Sequence, residues 1–170
     1  MVPGEVTRPI SDRVKEALFD ILSGDVPGAA FLDLFAGTGG VGIEALSRGA
    51  DRAVFVESDR FAVKTISENL AHTGLAGRAQ VVRSDVFHFL ASPGRPPFDI
   101  VYIAPPQYAG LWRQTLEALD ARPAWLNPDA LVIAQIHPTE YAELELARLQ
   151  LDDQRKYGST LLCFYESPGE

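Results

Sequence analysis

Short apolar runs alternate along this chain with segments of helical period, and that alternation restricts its possible folds more than any other feature. The run "AAFLDLF" (29–35), with one acid inside it, has the composition of a strand buried on both faces. A glycine-rich turn and a short helix over about 40–48 follow. The pattern then repeats. Strands are expected at 52–57, 78–85, 98–104 and 130–136. Helices are expected at 59–74, 109–120 and, more weakly patterned, 139–146, with a brief helical turn over 86–90. Ahead of the first strand, Ser11 is placed to cap a leading helix (10–24) on which Val14, Leu18, Ile21 and Leu22 recur at helical spacing. Residues 1–9, closed by Arg8-Pro9, read as a loose arm.

Strands that alternate with helices imply a mostly parallel sheet, because parallel neighbours need a crossover between them. The end departs from that rhythm. "RLQLDDQRKYGSTLLCFYE" (148–166) reads as two strands around a turn near Tyr157-Gly158. The expectation is therefore an α/β, Rossmann-like domain over 1–170, with a mostly parallel seven-stranded sheet and a C-terminal antiparallel hairpin.

Composition narrows the function classes. The chain has 170 residues, enough for one domain with a proper core. Net charge is −8, which argues against a broad basic face for nucleic acid; Arg8, Arg13 and Lys15 are the nearest approach to a basic cluster. No apolar run is long enough to cross a bilayer, and the start shows no signal-peptide pattern, so a cytoplasmic protein that does not bind membrane is expected. Cys163, within "TLLCFYE", reads as a core residue, and the three histidines have no metal-ligand spacing. His72 and His88 read as helix-surface residues, His137 as a loop residue, and Trp112 and Trp125 as packing.

The most specific segment is Asp33-Leu-Phe-Ala-Gly37-Thr-Gly39-Gly40-Val-Gly42. Its glycines satisfy G-x-G-x-x-G, and Glu57 lies where a ribose-binding acid is expected. Asp33 separates two readings of that motif. A carboxylate beside the turn repels a pyrophosphate but suits a ligand with an ammonium group, such as S-adenosylmethionine. Glu57 closes the second strand, where it can accept from both ribose hydroxyls. Asp85 closes the third, where a carboxylate can take the adenine amino group beside the Val86 backbone. Any one of these acids alone reads as a helix cap or a turn residue. Three of them at successive strand ends, where open α/β sheets bind ligands, read as one constellation.

On "TRPISDRVKEALFDIL", "FLDLFAGTGGVGIEALSRGA", "VFVESD", "NL", a double proline at a strand end and "KYGSTLLCFYE", the chain resembles the RsmD-type bacterial enzymes from Thr7 to Glu166. These methylate the N2 amine of a guanine in 16S ribosomal RNA, using S-adenosylmethionine. The resemblance implies the class I methyltransferase fold, whose seven-stranded sheet ends in an antiparallel hairpin. It implies that Asp33, Phe35, Gly37, Thr38 and Gly39 bind the methionine part of the cofactor. It assigns Glu57, with Ser58 beside it, to the ribose, and Asp85 with Val86 to the adenine. The implied partner is 16S ribosomal RNA within the 30S subunit or an assembly precursor, bound by a monomer. Arg8, Arg13, Tyr108 and Arg113 are candidate RNA contacts, chosen for charge or aromaticity near the expected site.

Two departures stand out. Family members usually begin with a basic β-hairpin before "TRP", and this sequence starts after that point. The second is "VYIAPPQY" (101–108), where the family has D/N-P-P-Y/F. In the family motif the first side chain and the carbonyl of the first proline accept hydrogen bonds from the target amine, and the aromatic stacks on the flipped base. Ala104 removes the side-chain acceptor, a loss of about 3–4 kcal/mol in comparable sites. Gln107 removes the ring, and stacking contributes about 1–3 kcal/mol per base. The Pro105 carbonyl remains, Pro106 keeps the turn, Gln107 offers an amide oxygen, and Tyr108 offers a ring one residue on. A working methyltransferase, a cofactor-binding module without catalysis and a small-molecule methyltransferase all remain open at this point. A nicotinamide enzyme is the most distant alternative.

Overall fold

The computed structural model describes residues 10–92, 94–107 and 109–169. The expected N-terminal arm, Arg8 within it, and Tyr108 lie outside the described residues. The backbone divides after residue 93 into two compact units.

The first unit runs α1 (Asp12–Leu22), β1 (Ala30–Leu34), α2 (Gly40–Ser47), β2 (Arg52–Glu57), α3 (Arg60–Thr73), β3 (Ala79–Arg83) and α4 (Val86–Ala91). Its strands pair in parallel in the order β3-β2-β1. Ser11 caps α1, its Oγ accepting from the Val14 amide at 3.2 Å, and Val14, Leu18, Phe19 and Leu22 are buried. All five residues of β1 are buried, as a strand covered on both faces requires. Helix α2 packs on β1 and β2, and α3 packs on β3 and β2. Local signals bound α3 at both ends. Asp59 caps its start by accepting from Ala62, and Gly74 closes it with φ of 71°.

The second unit holds β4 (Phe98–Ile103), α5 (Leu111–Asp120), β5 (Leu126–Ile136), β6 (Gln150–Tyr157) and β7 (Thr160–Glu166). Within it β4 and β5 are parallel, β7 lies antiparallel on β5, and β6 covers β7, in the order β4-β5-β7-β6. The seven strands of the two units and their antiparallel ending agree with the expected class. Trp125 stacks on Phe98 with ring centroids 6.2 Å apart, and Trp112 on Tyr141 at 6.0 Å; both tryptophans are buried, as expected of packing residues.

Two elements differ from expectation. Strand β5 begins at Leu126 rather than 130. Its pairing with β4 jumps from Phe98↔Leu126 to Ile100↔Leu131, and a bulge there absorbs Asn127, Pro128 and Asp129, the last with φ of 62°. The expected helix over 139–146 does not form. His137 caps a single 3-10 turn, Pro138–Glu140: the Thr139 amide donates to its Nδ1 at 3.2 Å, and its own amide donates to Glu140 Oε2 at 3.0 Å. Beyond the turn, the amides of Ala147, Arg148 and Leu149 donate to the Asp120 carboxylate at 2.7, 2.8 and 2.9 Å. Asp120 ends α5, so the segment that follows the expected helix is held by a side chain from another element.

Candidate functional site

The glycine-rich turn of the first unit is built by two carboxylates. Strand β1 delivers Asp33, which is 1% exposed, and its Oδ2 accepts from the Gly42 amide in α2 at 3.1 Å. Strand β2 delivers Glu57, whose Oε1 accepts from the Gly37 amide at 2.8 Å and whose Oε2 accepts from the Asp59 amide at 2.9 Å. The loop between them is tightly bent. Phe35, Gly37 and Gly39 have φ of 62°, 59° and 84°. A side chain at Gly39 is strained on two counts, since a Cβ there also meets Ile66 Cγ2 at 3.2 Å. At Gly42 a Cβ meets the Phe55 ring at 2.4 Å, so only glycine lets α2 approach β2 this closely. Asn69 on α3 completes the bracing, its Nδ2 donating to the Thr38 carbonyl at 3.1 Å.

The electrostatics of this cradle are unbalanced. Among the described residues Asp33 Oδ1 is buried without a hydrogen-bond partner. Loss of water pushes the Asp33 carboxyl well above its usual range; the Gly42 amide pulls it down, and the nearby Glu57 charge pushes it up again. The donor set fits an amino-acid head group: an orphaned carboxylate oxygen suits an ammonium, and the start of α2, where no side chain caps Gly39, suits a carboxylate. A pyrophosphate would meet the Asp33 and Glu57 charges instead.

The other expected site residues are placed as follows. Ser58 is exposed at the end of β2. Asp85 is exposed and caps α4, accepting from the His88 amide at 3.0 Å; Val86 beside it is buried. A carboxylate has more acceptor positions than one cap uses. In the second unit, Ala104, Pro105, Pro106 and Gln107 follow β4 directly and are all half-buried. Arg13 is exposed on α1. Arg113 is exposed on α5 and faces Glu117 at 3.5 Å, a pair that competes with any phosphate contact. Among the described residues no group of three His, Cys, Asp or Glu side chains is arranged to hold a metal, and no helix is long and apolar enough to cross a membrane.

Sequence reasoning missed three contributors. Asp59 and Asn69 brace the cradle, yet a cap and a long-range amide contact leave no periodic signal. Gln135, in β5, is buried at 7% exposure and accepts a hydrogen bond from the Tyr102 hydroxyl of β4. Only the strand register reveals that pairing.

The family model described as "Conserved hypothetical protein 95" matches residues 1–166. The chain is 39% identical over 155 residues to the "Ribosomal RNA small subunit methyltransferase D" of Escherichia coli K12, covering 88% of this chain and 77% of that protein. It is 34% identical over 171 residues to the "Putative rRNA methyltransferase YlbH" of Bacillus subtilis, covering 99% and 92%. The solved structure of the "Putative methyltransferase yhhF" from Escherichia coli superposes with a TM-score of 0.87 at 34% identity, covering 100% of this chain and 92% of that one. With this fold, this glycine cradle and these relatives, the chain belongs to the RsmD-type family of ribosomal RNA small subunit methyltransferases.

Proposed function

We propose that this protein transfers a methyl group from S-adenosylmethionine to the exocyclic N2 amine of a guanine in 16S ribosomal RNA, on the 30S subunit or an assembly precursor. The observation that carries the cofactor half of this reading is the buried, unpartnered Asp33 Oδ1 behind a turn that two carboxylates hold in place.

S-adenosylmethionine supplies an electrophilic methyl on a positively charged sulfur. In this reading Asp33 provides the counter-charge for its ammonium, and Phe35, Gly37, Thr38 and Gly39 shape the methionine pocket. Glu57 accepts from the ribose hydroxyls through lone pairs beyond those the Gly37 and Asp59 amides use, with Ser58 alongside. Asp85 and the Val86 backbone meet the adenine. The Pro105 carbonyl, at the end of β4, accepts an N–H of the target amine so that the nitrogen lone pair points at the methyl carbon. The N–C bond then forms as the S–C bond breaks, the electron pair stays on sulfur, and the extra proton on nitrogen leaves to water. No strong base is needed, which is why the motif can lose its acid and still work. Arg8, Arg13, Tyr108 and Arg113 are the proposed RNA contacts, and the protein acts as a cytoplasmic monomer.

The test is methyl transfer from labelled S-adenosylmethionine to 30S subunits, or their precursors, from cells lacking the endogenous modification. Label confined to one guanine is the expected result. Calorimetric binding of the cofactor with no transfer to any RNA would leave a cofactor-binding module and overturn the enzyme reading.

A further inference from the structure

Four polar or charged residues are buried among those described: Asp33, Thr115, Gln135 and Ser167. Three have local explanations. Asp33 anchors Gly42, the Thr115 hydroxyl donates to the Leu111 carbonyl, and Ser167 bridges the Asn127 carbonyl and the Ala130 amide. Gln135 is different. Its partner is the phenol of Tyr102, itself 3% exposed, on the neighbouring parallel strand.

The register locates this pair. Tyr102 stands opposite Ile133 and Ile103 opposite Ala134, so one further step brings Gln135 level with Ala104. Side chains alternate along a strand, which places Tyr102, Ala104, Ile133 and Gln135 on the same face. Two hydrogen-bonding groups therefore flank the position where the family carries an acid or amide and this chain carries a methyl group. Ala104 is a methyl group beside them, at a strand end whose residues 104–107 are half-buried rather than sealed.

We infer that the Tyr102–Gln135 pair supplies the acceptor for the target amine that Ala104 lacks, acting together with the Pro105 carbonyl. The inference rests on the amine-methylating reading above and names the residues that complete its substrate site. The chemistry is suited to the task. An amide oxygen and a phenol oxygen each accept more than one hydrogen bond, and the phenol proton, given to Gln135, fixes the direction of both groups. Neither is acidic enough to protonate the amine nor basic enough to deprotonate it. Both bind one N–H and leave the nitrogen lone pair for the methyl carbon, while the proton released after transfer goes to water. Because both acceptors are neutral, the hydrogen bonds to the amine do not themselves depend on a carboxylate staying ionised.

The experiment compares full-length Gln135→Leu, Tyr102→Phe, Ala104→Asn, Ala104→Asp and the Gln135→Leu/Ala104→Asn double variant, using 30S precursors and labelled S-adenosylmethionine. Gln135→Leu is expected to lower kcat about tenfold or more, with cofactor affinity and the KM for 30S particles little changed. The double variant is expected to recover most of that rate, while Ala104→Asn alone adds little. With saturating cofactor at each pH, Ala104→Asp is expected to add a fall in kcat at acid pH beyond any that the wild type shows. A Gln135→Leu protein that keeps the wild-type kcat overturns the inference and leaves the function intact. So does one that loses rate with a lowered thermal midpoint and no recovery from Ala104→Asn, since that pattern marks a purely structural pair. A wild-type protein that binds cofactor and methylates no RNA overturns both proposals.

Discussion

Glu57 at the end of β2 holds the Gly37 amide at 2.8 Å and the Asp59 amide at 2.9 Å, so one carboxylate ties the glycine turn to the start of α3. Glu57→Gln keeps the size of the side chain but turns one acceptor into a donor that faces an amide hydrogen. A hydrogen bond to a charged group contributes about 1.5–3 kcal/mol, and losing one of the two here should lower stability by about that amount. Denaturant titration checks it. Calorimetry should show S-adenosylmethionine binding weakened by about tenfold or more, because the same oxygens are assigned to the ribose.

Gly42 is closed to every side chain by the Phe55 ring. Gly42→Ala should destabilise the protein by about 1–3 kcal/mol through overpacking, read as a lower denaturant midpoint at constant slope. Combining it with Phe55→Leu should recover part of the loss, since the ring is the obstacle. A second substitution that deepens the loss would place the strain elsewhere.

Asp33 gives a pH dependence of definite sign. Its folded-state carboxyl is raised by burial, so the folded protein binds the proton more tightly than the unfolded chain. Stability should therefore fall as pH rises from the ordinary aspartate range through the raised value, and the loss should be complete above it. Asp33→Asn should remove this slope, visible as a flatter plot of thermal midpoint against pH. Cofactor binding should follow the opposite course, strengthening with pH in the same window and releasing protons in calorimetry. Asp33→Asn should bind cofactor poorly at every pH.

Asp120 behaves the other way. Partial burial pushes its carboxyl up, but the Leu149, Ala147 and Arg148 amides and the Arg148 charge outweigh that and hold it below the usual range. Its contribution is present above the unfolded-state pKa and is lost as pH falls through the folded one. Because the group is only half-buried and solvent screens it, Asp120→Ala should cost only about 1 kcal/mol at neutral pH. That difference should vanish in acid.

Cys163 is 0% exposed, and burial pushes its thiol up to about 11, against the pull of the Gln154 side chain. At pH 8 a thiol reagent should label the folded protein only at the rate of unfolding, and denaturant should make labelling immediate. Rapid labelling of the native state would contradict this packing.

The strands, most of the helices and the glycine-rich turn between β1 and α2 were legible because each rests on a local rule. Ser11 and Gly74 bound helices by chemistry confined to a few residues, and β1 announces its burial in every position. The glycines and acids of the cradle sit at strand ends that the alternation itself locates. The errors came where distant groups decide. Asn127, Pro128 and Asp129 have turn-forming composition, yet β4 provides a partner and the strand continues through a bulge. Residues 139–146 carry a weak helical period, but the turn that His137 caps ends at Glu140, and Asp120, 27 residues before Ala147, takes the amides of 147–149. The Tyr102–Gln135 pair was invisible for the same reason, since it exists only when β4 and β5 lie in their observed register.

The strand order β4-β5-β7-β6 also sets a sequence of events during synthesis. Strand β5 is long, its last five residues are buried, and the neighbour that covers its outer edge is β7, made only after β6. Until Thr160–Glu166 emerges, β5 presents a row of unpaired amides and carbonyls beside Val132, Ile133 and Ala134, the arrangement that invites pairing with another chain. Folding of this half is thus expected to wait for its final segment, and a nascent chain stalled before residue 160 should be the form most dependent on chaperones.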